Sequence, residues 1–143
     1  MTRLASLLIA AFLALAAVAP GSRAAAQSAA DAEAIEQTIR SQIAAMRIDD
    51  WAEAFTYASP MIQGIFETPE NFSRMVRGGF PMVWRPRSFK TGALTDGDRG
   101  LVQVMIFEDQ EGRLFIADYY MQLVDGEWRI NGVQIRPAPE QTV

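Results

Sequence analysis

The chain predicts an α+β fold, with helices in its first half packed on one face of a curved, antiparallel, four-stranded meander. Three observations predict it. Apolar residues recur at helical spacing from Ile35 to Met46, residues alternate at strand spacing from Arg87 onward, and short Gly/Asp turns join the alternating segments. The longest such stretch, Arg113 to Ile135 (RLFIADYYMQLVDGEWRINGVQI), reads as a hairpin turning at Asp125-Gly126. The upstream helices are expected to cover one face of that hairpin.

The chain has 143 residues, and the first 26 read as a leader. Arg3 gives a positive start. Leu4 to Ala19 is uncharged and apolar, Pro20-Gly21 is expected to break a helix, and Ala24 and Ala26 place small side chains where a processing enzyme reads. The apolar run is shorter than the roughly 20 residues that span a bilayer, so a cleaved signal peptide is expected rather than a stable membrane anchor. The expected location is the periplasm or the medium.

Residues 27–143 are expected to form a single domain, long enough to bury a core. There is no cysteine, so neither disulfides nor lipid attachment at a cysteine can contribute. Of 13 basic and 17 acidic residues, Arg3 and Arg23 leave with the leader, which moves the net charge from −4 to −6. That sign disfavours nucleic acid as a partner.

Ile35, Ile39, Ile43 and Met46 form one stripe of a helix over residues 28–47, with Ser28 or Asp31 as cap. Asp49-Asp50 follows. A carboxylate pair can serve acid–base chemistry, but Asp50-Trp51-Ala52-Glu53 reads better as a capping box that opens a helix over residues 51–58. Ser59-Pro60 opens a third helix, to Phe66, and Thr68-Pro69 a fourth, to about Arg77, which Gly78-Gly79 ends. Phe80 to Lys90 is the least regular stretch. It interleaves Trp84 with Arg85, Arg87 and Lys90, close to Arg74 and Arg77, and reads as a solvated basic patch or an anion site.

Four strands are expected over residues 87–94, 101–108, 114–124 and 128–136. On the third, Phe115, Ala117, Tyr119, Met121 and Leu123 share one face. The opposite face carries Leu114, Ile116, Tyr120 and Val124, with Leu101, Met105 and Phe107 extending it on the neighbouring strand. This face is apolar enough to predict an interface, and a homodimer through the sheet is the expected assembly. On the last strand, Ile130 and Val133 have opposite parity. A bulge at Asn131-Gly132 would return Ile130, Val133 and Ile135 to one face.

Four segments together resemble the exported bacterial family grouped as domain of unknown function 4864 (DUF4864). They are Asp49-Asp50-Trp51, Ala58-Ser59-Pro60, Phe72 to Val76 (FSRMV), and Asp125 to Val133 (DGEWRINGV). The resemblance covers nearly all of residues 27–143 and implies no activity, catalytic residue or cofactor. At fold level the order of elements is similar to the cystatin-like cone of nuclear transport factor 2, ketosteroid isomerase and SnoaL-type cyclases. That likeness implies a pocket where a carboxylate base meets a tyrosine donor. Asp49, Asp50 and Asp118 are the candidate bases, and Tyr57, Tyr119 and Tyr120 the candidate donors. The chain has no histidine, which excludes a histidine base and a His-ligated metal.

Two functions follow from the sequence. One is a non-catalytic module, binding a small hydrophobic ligand lined by Trp51, Phe55, Tyr57, Phe72, Met75, Phe80, Trp84 and Tyr119, or pairing with another protein. The alternative is a lyase or isomerase acting in the same pocket. No metal or cofactor is expected in either.

Overall fold

The structure is a computed structural model and describes residues 20–139. The apolar run expected to act as a leader lies outside them. Among the described residues, five helices precede four strands: α1 (Pro20–Arg47), α2 (Trp51–Thr56), α3 (Pro60–Phe66), α4 (Pro69–Gly79), α5 (Pro81–Trp84), β1 (Ser88–Gly97), β2 (Gly100–Glu108), β3 (Leu114–Val124) and β4 (Glu127–Pro137). The strands form one antiparallel sheet in the order β1-β2-β3-β4, an α+β arrangement of helices against an open curved sheet.

The described part of α1 includes the eight residues before the expected Ser28, so Ser28 and Asp31 lie inside the helix and do not cap it. The stripe is confirmed: Ile35, Ile39, Ile43 and Met46 are each at most 1% exposed. Burying such side chains stabilises the fold by about 1.5–3 kcal/mol each. α1 ends with Asp49 in the left-handed region (φ 58°), and the amides of Asp49 and Asp50 reach back to the carbonyls of Met46 and Ala45. Asp49 takes the place that glycine usually fills.

Asp50 does cap α2, accepting from the Glu53 amide at 3.1 Å. The reciprocal half of the capping box is absent, because Glu53 accepts from the Tyr57 hydroxyl at 2.7 Å instead. Ser59 and Thr68 cap α3 and α4 as expected. α4 takes in both Gly78 and Gly79, and the stretch expected to be irregular holds the short helix α5.

Two bulges shape the sheet. In β4, Met121 faces Ile130 and Tyr120 faces Gly132, which leaves Asn131 as the extra residue. Val133 and Ile135 face Tyr119 and Ala117, so Ile130, Val133 and Ile135 share the covered face as the sequence predicts. Gly132 has φ +154°, a backbone conformation that side-chain-bearing residues rarely adopt. In β1, Gly92 and Ala93 together oppose Val104. A Cβ at Gly92 would lie 3.1 Å from the Val104 carbonyl oxygen, so only glycine fits without a shift. Buried Gln103 holds this second bulge, its Nε2 lying 3.0–3.2 Å from the carbonyls of Gly92, Ala93 and Val104.

The register corrects one expectation. Tyr120, Asp118, Ile116 and Leu114 face Val102, Val104, Ile106 and Glu108. The outer face therefore continues onto Val102, Val104 and Ile106. Leu101, Met105 and Phe107 belong to the covered face, where Met105 and Phe107 are fully buried. Gln103 shares their parity; a glutamine in that row makes the buried face look like the mixed one.

The helices are tied to the sheet along β4. The Ile130 amide donates to the Tyr57 carbonyl at 2.9 Å, and the Ser59 amide to the Ile130 carbonyl at 2.8 Å. Ala58 thereby forms a parallel bridge with Ile130. The Ser59 hydroxyl donates to Asn131 Oδ1 at 2.7 Å and accepts from the Ile62 amide at 3.3 Å. Ser59→Ala removes a cap and leaves the Asn131 acceptor without its donor. The expected loss of stability is about 1–3 kcal/mol in urea unfolding, and a loss near zero would contradict this seam.

Candidate functional site

Between the helices and the covered face of the sheet lies a partly open cavity of about 320 Å³. Every element that meets at the β4 seam contributes to its wall. α1 supplies Gln42 and Met46, the α2–α3 connection Ala58, and α3 Ile62 and Phe66. α4 supplies Phe72, Met75 and Val76, and Phe80 and Val83 follow. Tyr119 comes from β3, and Ile130, Gly132 and Val133 from β4. The bulge sets the β4 contribution, because it turns both Ile130 and Val133 toward the helices.

Four residues expected from the sequence line this cavity: Phe72, Met75, Phe80 and Tyr119. Trp51, Phe55, Tyr57 and Trp84 do not. Trp51 lies edge-on to Phe72 with ring centres 6.3 Å apart and is 6.3 Å from Trp84, and Phe55 stands 5.4 Å from Phe72. These rings buttress the wall from behind. Trp84 donates its indole N–H to Asp49 at 3.0 Å, and Tyr57 is turned to Glu53.

The sequence reading missed the α3 part of the wall. Ile62 and Phe66 are four residues apart on α3, a spacing that places them on one helical side. α3 has no buried residue of its own, and Met61 and Ile65 on it are 54% and 63% exposed.

The candidate carboxylate bases lie elsewhere. Asp49 and Asp50 are exposed at the α1–α2 turn. The Trp84 indole and then the Arg85 guanidinium hold the Asp49 carboxyl below its ordinary pKa, against partial desolvation. Asp118 lies on the outer face and takes both arms of Arg136 at 2.8 and 3.0 Å. Among the described residues, no carboxylate or cationic side chain lines the cavity.

The basic patch is partly paired. Arg85 meets Asp49 at 2.8 Å and Arg87 meets Glu108 at 3.5 Å. Arg77 rests over the rings of Trp51 and Trp84, about 6 Å from each centre.

The polar groups of the wall are few. Gln42 donates its Nε2 to the Ala54 carbonyl at 3.2 Å. Tyr119 is fully buried, and its hydroxyl is the one buried side-chain polar atom without a hydrogen-bond partner among the described residues. Burial pushes the Tyr119 phenol far above its ordinary pKa, so it stays neutral at any physiological pH.

Residues 28–143 match the family described as domain of unknown function (DUF4864). No curated protein and no solved structure matches the chain.

An unpaired buried hydroxyl costs free energy, on the order of 1–3 kcal/mol. Tyr119→Phe removes the hydroxyl and keeps the ring. The ligand-free variant should be as stable as the parent, or more stable by about 1 kcal/mol, in urea unfolding. A loss above about 1 kcal/mol would show that the hydroxyl has a stabilising partner.

Proposed function

The chain belongs to the domain of unknown function 4864 family (DUF4864), and from that premise we propose that it is a non-catalytic module that binds a small apolar ligand between its helices and its sheet. One observation carries the reading: a cavity of about 320 Å³ with an almost wholly apolar wall. That volume lies at the lower end of the range for small-molecule sites. The enzymatic alternative needs an acid or base beside the reacting atoms, and among the described residues the wall offers no carboxylate, histidine or lysine. A neutral fluorescent probe, N-phenyl-1-naphthylamine, tests the reading. It should bind saturably, and Met75→Trp, which fills the cavity from α4, should weaken it at least about tenfold with circular dichroism unchanged. Absence of saturable binding, or equal binding by the filled variant, would refute the reading.

The outer face of the sheet supports a second role, pairing with a second copy. Val102, Val104, Ile106, Ile116 and Tyr120 form a half-buried apolar strip there. Lys90, Arg129 and Arg136 balance Glu108, Asp118 and Glu127 on this face, while the whole chain carries −4. Two like copies would meet there without net repulsion. Strand rise and spacing give each face roughly 600 Å², so a pair would bury on the order of 1,200 Å², the lower bound for a stable interface. Sedimentation at micromolar concentration should give a dimer, and Ile116→Lys with Tyr120→Lys should dissociate it. A monomeric parent would refute this role.

A further inference from the structure

Resting on the cavity reading, we infer that α3 is the gate of the cavity, latched by the Gln63 side chain and released through strained backbone at Glu67. The first observation is burial. Among the described residues, α3 differs from the other helices of the wall, α1, α4 and α5, in burying no residue of its own. Ile62 and Phe66 line the cavity from it, while Met61 and Ile65 on the same helix are exposed. A single helix thickness therefore separates the cavity from solvent. Elements with little buried apolar surface open at the lowest free energy. A molecule that fills the cavity enters past the wall that yields most easily.

Polar tethers hold α3 in place of burial. It has seven residues, too few to be a stable helix by itself. From its middle, Gln63 donates its Nε2 to the carbonyls of Phe55 and Ala58, at 3.1 Å to each. One side chain thus fastens α3 to α2 and to the connection between them. At the other end, the Asn71 side-chain amide donates to the Phe66 carbonyl at 2.9 Å. Such bonds contribute little net free energy, because water replaces them when the helix swings out.

The exit from α3 supplies the third observation. Glu67 has φ 67° and ψ −39°, and across it the Thr68 amide donates to the Phe66 carbonyl at 2.8 Å. That is a γ-turn of the rare, strained hand. A side-chain-bearing residue keeps such a conformation only where the surrounding structure imposes it, and such residues cluster at clamps and switches. Here the closed position of α3 imposes it, and opening lets Glu67 relax.

Gln63 and Glu67 do not line the cavity, and they move the gate in opposite directions. Stopped-flow fluorescence of N-phenyl-1-naphthylamine gives association and dissociation rates for the parent and two variants. Gln63→Ala removes the latch and should raise both rates at least about fivefold. Glu67→Gly removes strain from the closed state and should lower both about fivefold. The gate governs passage and leaves the wall unaltered, so Kd should stay within about twofold in each variant. Should Gln63→Ala fail to fold, hydrogen exchange of the parent and Glu67→Gly still decides. Amides of α3 should exchange faster than those of α1 and α4 in the parent, and more slowly in Glu67→Gly than in the parent. Rates equal in all variants, a Kd shift without a paired change in both rates, or α3 amides as protected as those of α1 overturns the gate and leaves the cavity reading intact. If the probe does not bind the parent saturably, the cavity reading fails and the gate with it.

Discussion

The structure depends on what β4 does at Asn131. An edge strand exposes a row of backbone donors and acceptors that must be paired or protected. Here the row is met at Ile130 by the connection between α2 and α3, which lends the Tyr57 carbonyl and the Ser59 amide. One residue further on, the bulge lets the Asn131 side chain accept from the Ser59 hydroxyl. The same serine oxygen caps α3. Backbone pairing, helix capping and sheet curvature thus converge on one fully buried serine. At the start of β4, α1 is fastened separately, with Thr38 Oγ1 3.2 Å from the Trp128 carbonyl and Asp31 accepting from the Trp128 indole at 3.2 Å.

The cavity follows from that seam. α1 is held at the start of β4 and the α2–α3 connection at its middle. α3 and α4 then follow, each opened by a capped proline turn. Their apolar sides face the sheet across a gap that the available side chains do not fill. The bulge turns Ile130 and Val133 inward together, and Gly132 shows only its backbone to the gap. Tyr119 pairs with Val133 across the two strands, close to the bulge in register. The same local distortion therefore both attaches the helices and shapes the wall of the site.

Much of this was legible in the sequence where a local rule was broken or obeyed plainly. The stripe of α1, the serine and threonine caps with their prolines, and the bulge in β4 each leave such a mark. The β1 bulge left a fainter one, an interior glycine at Gly92, because its stabilising partner Gln103 lies on another strand. Gln103 also hid the true parity of β2. The side of an aromatic ring that faces a cavity is not written in local pattern. Trp51, Phe55 and Trp84 are spaced like wall residues but back the wall, while the smaller Ala58, Ile62 and Val133 form it. Tyr119 was legible as a core tyrosine; the absence of a partner for its hydroxyl depends on residues far apart in the chain.

Methyl-resolved nuclear magnetic resonance during titration with a neutral aromatic ketone tests the central claim most directly, because the two faces of the sheet carry different methyl groups. The account predicts shifts at Met46, Ile62, Met75, Val83 and Val133, with Val102, Ile106 and Ile116 on the outer face unmoved. Shifts confined to the outer face would contradict it.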